Sequence, residues 1–222
     1  SIGRGGAMTA CQGYIVNNVI YGNVASRSGG GLDFCKGFQV NNIVWGNTAP
    51  MEAQVDGTGR PMYSCIQGWG STTNGNTAAN PLFVNAAAGD FRLQAGSPCI
   101  NTGSLYLVPD TWLADFDGNA RLSGAGVDMG AFEYGSTPDA DGDMLPDSQE
   151  AANGANPANR DTDGDGCPDG VEVLGGLNPA VAEAPTIIDV PSARPTIQQA
   201  LFFSRPADTI RIAAGTYTET VV

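Results

Sequence analysis

The chain has 222 residues, with 23 acidic and 10 basic side chains, no histidine and a formal net charge of −13. So acidic a sequence, without a basic stripe, is not expected to bind nucleic acid. No apolar run is long enough to span a membrane, so membrane insertion is not expected either. The 31 glycines and the single lysine, Lys36, favour a turn-rich, tightly wound chain over a helical bundle.

The front of the chain contains an internal repeat, because residues 30–49 follow residues 6–25 with an offset of 24. The aligned positions are Cys11 with Cys35, Gly13 with Gly37, Tyr14-Ile-Val with Phe38-Gln-Val, Asn17-Asn18 with Asn41-Asn42, Val19-Ile-Tyr with Ile43-Val-Trp, and Gly22-Asn23 with Gly46-Asn47. A period in the low twenties, with short β-prone runs between Asn and Gly, predicts the stacked coils of a parallel β-solenoid. Apolar residues would fill its interior, and asparagines would stack at the bends and exchange amide hydrogen bonds.

A series of short motifs continues this pattern toward Tyr134. It consists of Asn80-Pro-Leu-Phe-Val-Asn85, Gly89-Asp-Phe-Arg-Leu-Gln94, Gly96-Ser-Pro-Cys-Ile-Asn101, Asp115-Phe-Asp-Gly-Asn-Ala-Arg121 and Val127-Asp-Met-Gly-Ala-Phe-Glu-Tyr134. The series resembles the terminal coils of bacterial right-handed parallel β-helix repeat proteins, which are pectin-lyase-like solenoids. The resemblance implies an all-β fold in which residues 1–134 form the last coils and the closing segment of a right-handed parallel β-helix. Asn80, Asn85 and Asn101 depart from it, because that family has acidic residues there.

Two twelve-residue stretches, 139–150 and 161–172, have carboxylates at positions 1, 3, 5, 9 and 12. This spacing wraps a loop around a hard cation, with the position-7 carbonyl turned inward and the last Glu able to bind through both oxygens. A solvated acidic linker is the alternative. The predicted ligands are Asp139, Asp141, Asp143, Leu145, Asp147 and Glu150 in the first loop, and Asp161, Asp163, Asp165, Cys167, Asp169 and Glu172 in the second. Two calcium ions are therefore expected, and they would change the formal charge from −13 to −9.

The loops belong to a repeat with an offset of 22, in which each loop is followed by a short helical turn and a Gly and Asn-Pro stop. At position 6 the second loop has Gly166, whereas Met144 must adopt the same sharp turn at some cost. The repeat resembles the thrombospondin type-3 calcium repeat and, less closely, the dockerin loop. The resemblance implies a calcium-ordered spacer over residues 135–184, of the kind found between larger domains of secreted or cell-surface bacterial proteins.

The last segment, residues 185–222, begins with a β-prone run, continues into a short amphipathic helix and ends in an alternating strand pattern. Pro195 suits the first turn of that helix, and Ile197, Ala200 and Leu201 share one face. The order resembles the start of a right-handed β-helix, in which a capping helix covers the open first coil. Because the chain opens without such a cap and stops after about one coil, two explanations fit. Either it is a slice of a longer protein, or its terminal strand completes the solenoid of the next copy and builds a head-to-tail filament.

The five cysteines, Cys11, Cys35, Cys65, Cys99 and Cys167, do not form a zinc-type spacing. Buried free thiols and one or two disulfides both remain open. Stacking would place Cys11 beside Cys35 in either case.

No grouped catalytic set is recognisable, because residues 1–134 contain one lysine, no histidine and only scattered acids. We therefore expect no catalytic residue, no cofactor other than calcium, and a non-enzymatic structural or adhesive module that is extracellular or at the cell surface. No signal peptide opens the sequence, so if the protein is exported, we expect this sequence to be a mature or internal portion of it. The alternatives are the non-catalytic part of a secreted polysaccharide-active enzyme, or a carbohydrate-binding module with surface glycans as partners. A carbohydrate-binding module would need an exposed row of aromatic residues. Tryptophans are more often core residues, so we expect Trp45, Trp69 and Trp112 to lie in the core.

Overall fold

The computed structural model describes residues 5–57, 59–109, 112–219 and 221. The chain forms two compact units, of which the first comprises Ser1–Leu105 with Ser123–Gly135 and the second Tyr106–Leu122 with Ser136–Val222. The described strands are β1 (Met8–Thr9), β2 (Tyr14–Val16), β3 (Val19–Tyr21), β4 (Leu32–Asp33), β5 (Phe38–Val40), β6 (Ile43–Trp45), β7 (Val55–Asp56), β8 (Cys65–Ile66), β9 (Phe83–Asn85), β10 (Asp90–Leu93), β11 (Ile187–Val190) and β12 (Thr209–Ile212). The described α-helices are α1 (Asp147–Asn153), α2 (Asp169–Gly175) and α3 (Ile197–Phe202), and short 3-10 helices cover Thr73–Gly75 and Ala86–Ala88.

The first unit contains three small parallel sheets, with strand orders β1-β4-β7, β2-β5 and β3-β6-β8. Met8 pairs with Leu32, Tyr14 with Phe38, and Val19 with Ile43, so the strand partners are the residues that the internal repeat aligns. Parallel pairing at this offset is what stacked coils require, because each strand must lie beside its equivalent in the next coil. The right-handed parallel β-helix itself stays a prediction. The hairpin β9-β10 is antiparallel, and its register shifts between Asp90 and Leu93.

Stacked asparagines connect the paired strands at their bends. Asn42 Oδ1 accepts hydrogen bonds from both the amide and the side chain of Asn18, at 3.0 and 3.2 Å. Asn47 Oδ1 binds Asn23 in the same way, at 2.9 and 3.0 Å. The predicted exchange of side-chain hydrogen bonds is therefore confirmed at these pairs. Each buried side-chain amide forms hydrogen bonds with backbone groups that the bend would otherwise leave unpaired.

Buried apolar side chains of the first unit form two clusters among the described residues. The first is made of Ile15, Ile20, Leu32, Cys35, Val44 and Ile66, and the second of Ile43, Cys65, Leu93, Cys99 and Met129. Trp69 packs against the first cluster and Trp45 against the second, so both contribute to the core. Trp112 is 43% exposed.

Two glycines lie very close to the backbone of a neighbouring repeat. A methyl group on Gly37 would lie 1.9 Å from the carbonyl oxygen of Gly13, and one on Gly6 would lie 2.1 Å from that of Gly30. Neither position has room for a side chain, so glycine is required there by space.

All five cysteines are free thiols, and four of them are buried. The Cys99 thiol, through a hydrogen bond, and burial together raise the pKa of the Cys65 thiol far above its usual range. Burial likewise raises the pKa of the Cys35 thiol. Buried thiols with raised pKa values are unreactive, and they pack as small apolar side chains.

In the second unit, α3 and the parallel pair β11-β12 form the C-terminal part. Ile187 pairs with Thr209 and Val190 with Ile212. Thr196 caps α3 by accepting a hydrogen bond from the amide of Gln199, so Pro195 precedes the cap rather than lying in the first turn. Ala200 is fully buried, whereas Leu201 is 39% exposed and is not part of the buried face.

Residues of the second unit that precede the acidic loops pack against α3. The Tyr106 ring lies 5.3 Å from Phe202 and 6.2 Å from Phe203, between ring centroids. Gln198 Nε2 donates to the Tyr106 carbonyl at 2.7 Å. The division into 1–134, 135–184 and 185–222 stays a prediction, and residues 106–122 group with the acidic loops by contact. Among the described helices, none has both the length and the apolar character needed to cross a membrane.

Candidate metal centre

Each acidic loop is closed by its first aspartate, whose carboxylate accepts backbone amides from the turn. Asp139 accepts the amides of Gly142 at 2.8 Å, Asp143 at 3.2 Å and Met144 at 2.9 Å. Asp161 accepts the amides of Gly164 at 2.8 Å and Gly166 at 2.9 Å. The two loops therefore have the same frame, which follows from a short acidic side chain placed ahead of a glycine-rich turn.

The residue at position 6 has a similar positive φ in both loops. Gly166 has a φ of 95°, and Met144 has a φ of 90°. Because that region is unfavourable for a residue with a side chain, Met144 is strained there, as the sequence indicated. Its side chain is only 3% exposed, so apolar burial offsets part of this cost.

Position 5 and position 7 are linked by one hydrogen bond in each loop. The amide of Leu145 donates to Asp143 Oδ1 at 2.6 Å, and the amide of Cys167 donates to Asp165 Oδ1 at 2.9 Å. Leu145 and Cys167 are buried within these turns. Their carbonyl oxygens stay predicted ligands.

A short helix follows each loop and carries its last acidic residue inward. Pro146 and Pro168 are the extended residues before α1 and α2, a position at which the missing amide proton costs nothing. Each helix ends at a left-handed glycine, Gly154 or Gly176. Glu150 and Glu172 lie on the inner side of α1 and α2, and both are completely buried.

Among the described residues, the carboxylates form four groups in which one oxygen of each member lies within 4.8 Å of the others. Positions 1, 3 and 5 of each loop form two of these groups. The other two combine positions 5 and 12 with one further acid. The groups are Asp139, Asp141 and Asp143; Asp161, Asp163 and Asp165; Asp143, Glu150 and Asp169; and Asp165, Glu172 and Glu183.

Several of these buried oxygens have no hydrogen-bond partner among the described residues. They are both side-chain oxygens of Asp141, Glu150 and Glu172, and Oδ2 of Asp163. An ionised carboxylate without partners is strongly unfavourable in a buried site, so these oxygens fit a bound cation. The donor set consists only of oxygens, which suits a hard ion such as calcium with its need for about six to eight ligands.

The pKa values of the carboxylates reflect their burial and their proximity to one another. Burial, followed by the nearby acidic groups, raises the pKa of Glu150 to about 7 and that of Glu172 to about 8. Burial also raises the pKa of Asp143 to about 7. The pKa values of Asp139, Asp141 and Asp163 are raised mainly by burial. A divalent ion would remove this penalty because it returns positive charge to the site.

The two position-9 aspartates accept backbone amides of their own loops, and their role as ligands stays a prediction. Asp147 Oδ1 accepts the amide of Ala140 at 2.8 Å, and Asp147 joins none of the acidic groups among the described residues. Asp169 accepts the amide of Thr162 at 2.7 Å, but it groups with Asp143 and Glu150 of the first loop. The ninth position thus fastens its own loop, and in the second repeat it also extends the first site.

The second repeat is packed directly onto the first loop. The amide of Gly170 donates to Asp143 Oδ2 at 3.0 Å. A methyl group on Gly170 would lie 2.5 Å from the Asp143 carbonyl oxygen, so only glycine permits this approach. Arg160 adds a hydrogen bond to the carbonyl of Gly142.

Two residues at the second site were not predicted from the sequence. Glu183 belongs to the group with Asp165 and Glu172, and Arg205 binds both Glu183 and Asp165. Neither lies within the repeat, since both follow the Asn178-Pro179 stop, so no motif position marks them.

The segment 115–119 forms a turn, and it belongs to none of the four acidic groups found among the described residues. Asp115 Oδ1 accepts the amides of Asp117 at 2.9 Å and Asn119 at 2.8 Å. Asp128, in the first unit, similarly accepts the amides of Asn101 at 2.8 Å and Tyr134 at 2.7 Å. Both aspartates therefore hold backbone segments in place.

Comparison with protein-family models, with curated proteins and with solved structures finds no match to this chain.

Proposed function

We propose that this chain is a calcium-stiffened structural module of an extracellular or cell-surface protein, with a parallel β-helix as its main fold. One observation supports it most strongly: Glu150 and Glu172 are fully buried, and their four carboxylate oxygens have no hydrogen-bond partner among the described residues. Such groups are costly in a folded protein unless a cation accompanies them.

Calcium would supply positive charge and six to eight coordination positions, which side chains from separate turns share. In the first site the predicted ligands Asp139, Asp141, Asp143 and Glu150 come from both the loop and α1. An ion held by both elements would fix them relative to each other. A rigid spacer is the outcome, since α1 and α2 have only seven residues each and are too short to be stable alone.

An extracellular location is part of the proposal, because millimolar free calcium occurs outside cells and loads loops of modest affinity. The proposed module has no catalytic role. The acidic residues whose pKa values are raised most lie in the two loops, where the backbone frame and the unpartnered oxygens suit ion binding.

Self-association completes the proposal. Ile187 and Ile212, in the two-stranded sheet β11-β12, are 56% and 47% exposed. The edge of a short sheet can accept another strand, and exposed apolar side chains on that sheet favour burial against a partner. We propose that a second copy of this chain supplies that strand.

The test of calcium binding is a titration of the full chain followed by chelation. Two ions per chain are expected. Removing them should increase protease cleavage between residues 139 and 172 and leave residues 5–57 resistant, because the spacer has few apolar residues of its own. An unchanged cleavage pattern after chelation would contradict the proposal.

Incubation with pectin, alginate and a glycan panel checks the enzymatic alternative, for which new reducing ends or unsaturated products are the expected sign.

A further inference from the structure

The second acidic site extends beyond its own repeat. Glu183 lies with Asp165 and Glu172 in a group whose ligand oxygens are within 4.8 Å of one another. Glu172 is fully buried in this group, and neither of its oxygens has a hydrogen-bond partner among the described residues. The unpartnered carboxylate indicates a ligand at this point rather than a fortuitous acidic surface.

Arg205 is the positive charge already present at this site. Its guanidinium is 6% exposed, and its Nη1 lies 2.6 Å from Glu183 Oε2 and 3.2 Å from Asp165 Oδ2. Three carboxylates and one guanidinium leave two negative charges in this group, and Asp161 and Asp163 add to them. One arginine is therefore insufficient to neutralise the site, and a divalent cation supplies what is missing.

The two sites acquire their additional carboxylate from different parts of the chain. At the first site it is Asp169, which belongs to the next repeat. At the second site it is Glu183, which lies outside both repeats. The first site is thereby tied to the second repeat, and the second site is tied to the segment that follows it.

Arg205 connects the second site to the C-terminal strands. Its backbone amide and Nε contact Asp208 Oδ2 at 3.0 and 3.5 Å. The other oxygen, Asp208 Oδ1, accepts the amide of Thr186 at 2.6 Å, immediately before β11. Pro206 lies against the second loop, since a methyl group on Gly166 would be 2.6 Å from its Cγ.

We propose that Glu183 is a ligand of the second cation, and that Arg205, bound to the same carboxylate, couples occupancy of that site to the order of residues 185–219. The inference rests on the proposed calcium binding. Oε2 of Glu183 holds the guanidinium, and its other oxygen would be available to the cation. A bound cation would therefore fix the carboxylate to which Arg205 is anchored, and without it that carboxylate would be less firmly placed. The C-terminal strands then become less protected.

The first experiment compares Glu183→Gln with wild type by calorimetric calcium titration at fixed ionic strength. Wild type should bind two ions, and the variant should bind one of them roughly tenfold or more weakly, because a charged ligand is lost. Asp189→Asn is the matched control: it removes the same charge from the C-terminal segment, where Asp189 pairs with Arg211 at an exposed position. Both affinities should be unchanged in this control.

The second experiment measures hydrogen exchange of residues 186–212 with calcium and with chelator. Calcium should protect these amides in wild type. Arg205→Gln should lose most of that protection, because the contact that links Glu183 to the C-terminal strands is cut.

The outcomes separate the two levels of the proposal. A wild-type chain that binds no calcium overturns the proposed function and this inference together. A wild-type chain that binds two ions, with Glu183→Gln unchanged in both affinities, overturns only the role of Glu183. If Glu183→Gln fails to fold, the Arg205→Gln exchange data decide, and calcium-dependent protection equal to wild type overturns the coupling.

Discussion

Asn42 lies at the bend between β5 and β6, is 1% exposed and forms hydrogen bonds through both its side-chain oxygen and its side-chain nitrogen. Its Oδ1 accepts two bonds from Asn18, and its Nδ2 donates to the Ile15 carbonyl at 2.7 Å. Its backbone amide donates to Ser64 Oγ at 3.1 Å. A buried amide that is bonded through both its oxygen and its nitrogen holds neighbouring strands in register, and losing one of these bonds would weaken them.

The exchange Asn42→Asp tests this role. The aspartate loses the donor to Ile15 and buries a negative charge, so the free energy of unfolding should fall by about 2–4 kcal/mol. Denaturant unfolding of the calcium-loaded protein is the measurement.

Asn80→Asp is the control for charge. Asn80 is exposed, and its oxygen accepts the amide of Leu82 at 3.0 Å, a bond that aspartate can keep. Its effect should stay within about 0.5 kcal/mol. Equal losses in the two variants would show that the buried amide has no special role.

The acidic loops show which parts of the candidate site can be predicted from sequence spacing. Carboxylates at positions 1, 3 and 5 come together because they lie within one turn, and the structure brings Asp139, Asp141 and Asp143 into one group. The positions of Asp169 and Glu183 depend on how the second repeat packs onto the first loop and how Arg205 reaches the second. Those are tertiary contacts between distant segments, which no local spacing contains.

At the scale of elements, α1 and α2 each bury an acidic residue in a site that already contains several negative charges. In the calcium-free protein, the folded-state pKa values of Glu150 and Glu172, about 7 and 8, exceed the usual glutamate value of 4.5. The folded form therefore holds protons that the unfolded form has released. The resulting stabilisation is complete below about pH 4.5 and is lost as the pH rises through 7 to 8.

We expect the chelated protein to have a higher unfolding midpoint at pH 6 than at pH 8.5, measured by thermal unfolding at constant ionic strength. Calcium should reverse the trend, since it binds the ionised carboxylates, and calcium affinity should fall as the pH decreases. Glu172→Gln should reduce the pH dependence of the chelated form. A chelated protein that is more stable at pH 8.5 than at pH 6 would be incompatible with these buried charges.

For the molecule as a whole, the parallel pairs β2-β5 and β3-β6 and the asparagine bridges follow from the offset of 24, which the sequence alone supplies. The antiparallel hairpin β9-β10 does not follow from it. Asn85 accepts the amide of Ala88 at 3.2 Å and closes the tight 3-10 turn between these strands, a local feature that the periodic pattern obscures.

Self-association makes a prediction at the same scale. In calcium, the protein should form larger particles at high concentration, seen by electron microscopy and sedimentation. Replacing Ile187 and Ile212 by lysine should prevent this, because charges on the sheet oppose strand addition. Val24→Lys is the control, since Val24 is 74% exposed and lies in the first unit. If the wild-type protein remains monomeric under these conditions, the filament is excluded.

The contact of Gly37 with the Gly13 carbonyl restricts how this sequence can diverge over generations. A mutation at an exposed site such as Val24 changes only a surface side chain, but any mutation at position 37 places atoms where backbone already lies. Selection should therefore remove variants at position 37 and tolerate those at position 24. Descendants of this chain can lose most of their resemblance to one another while this glycine persists.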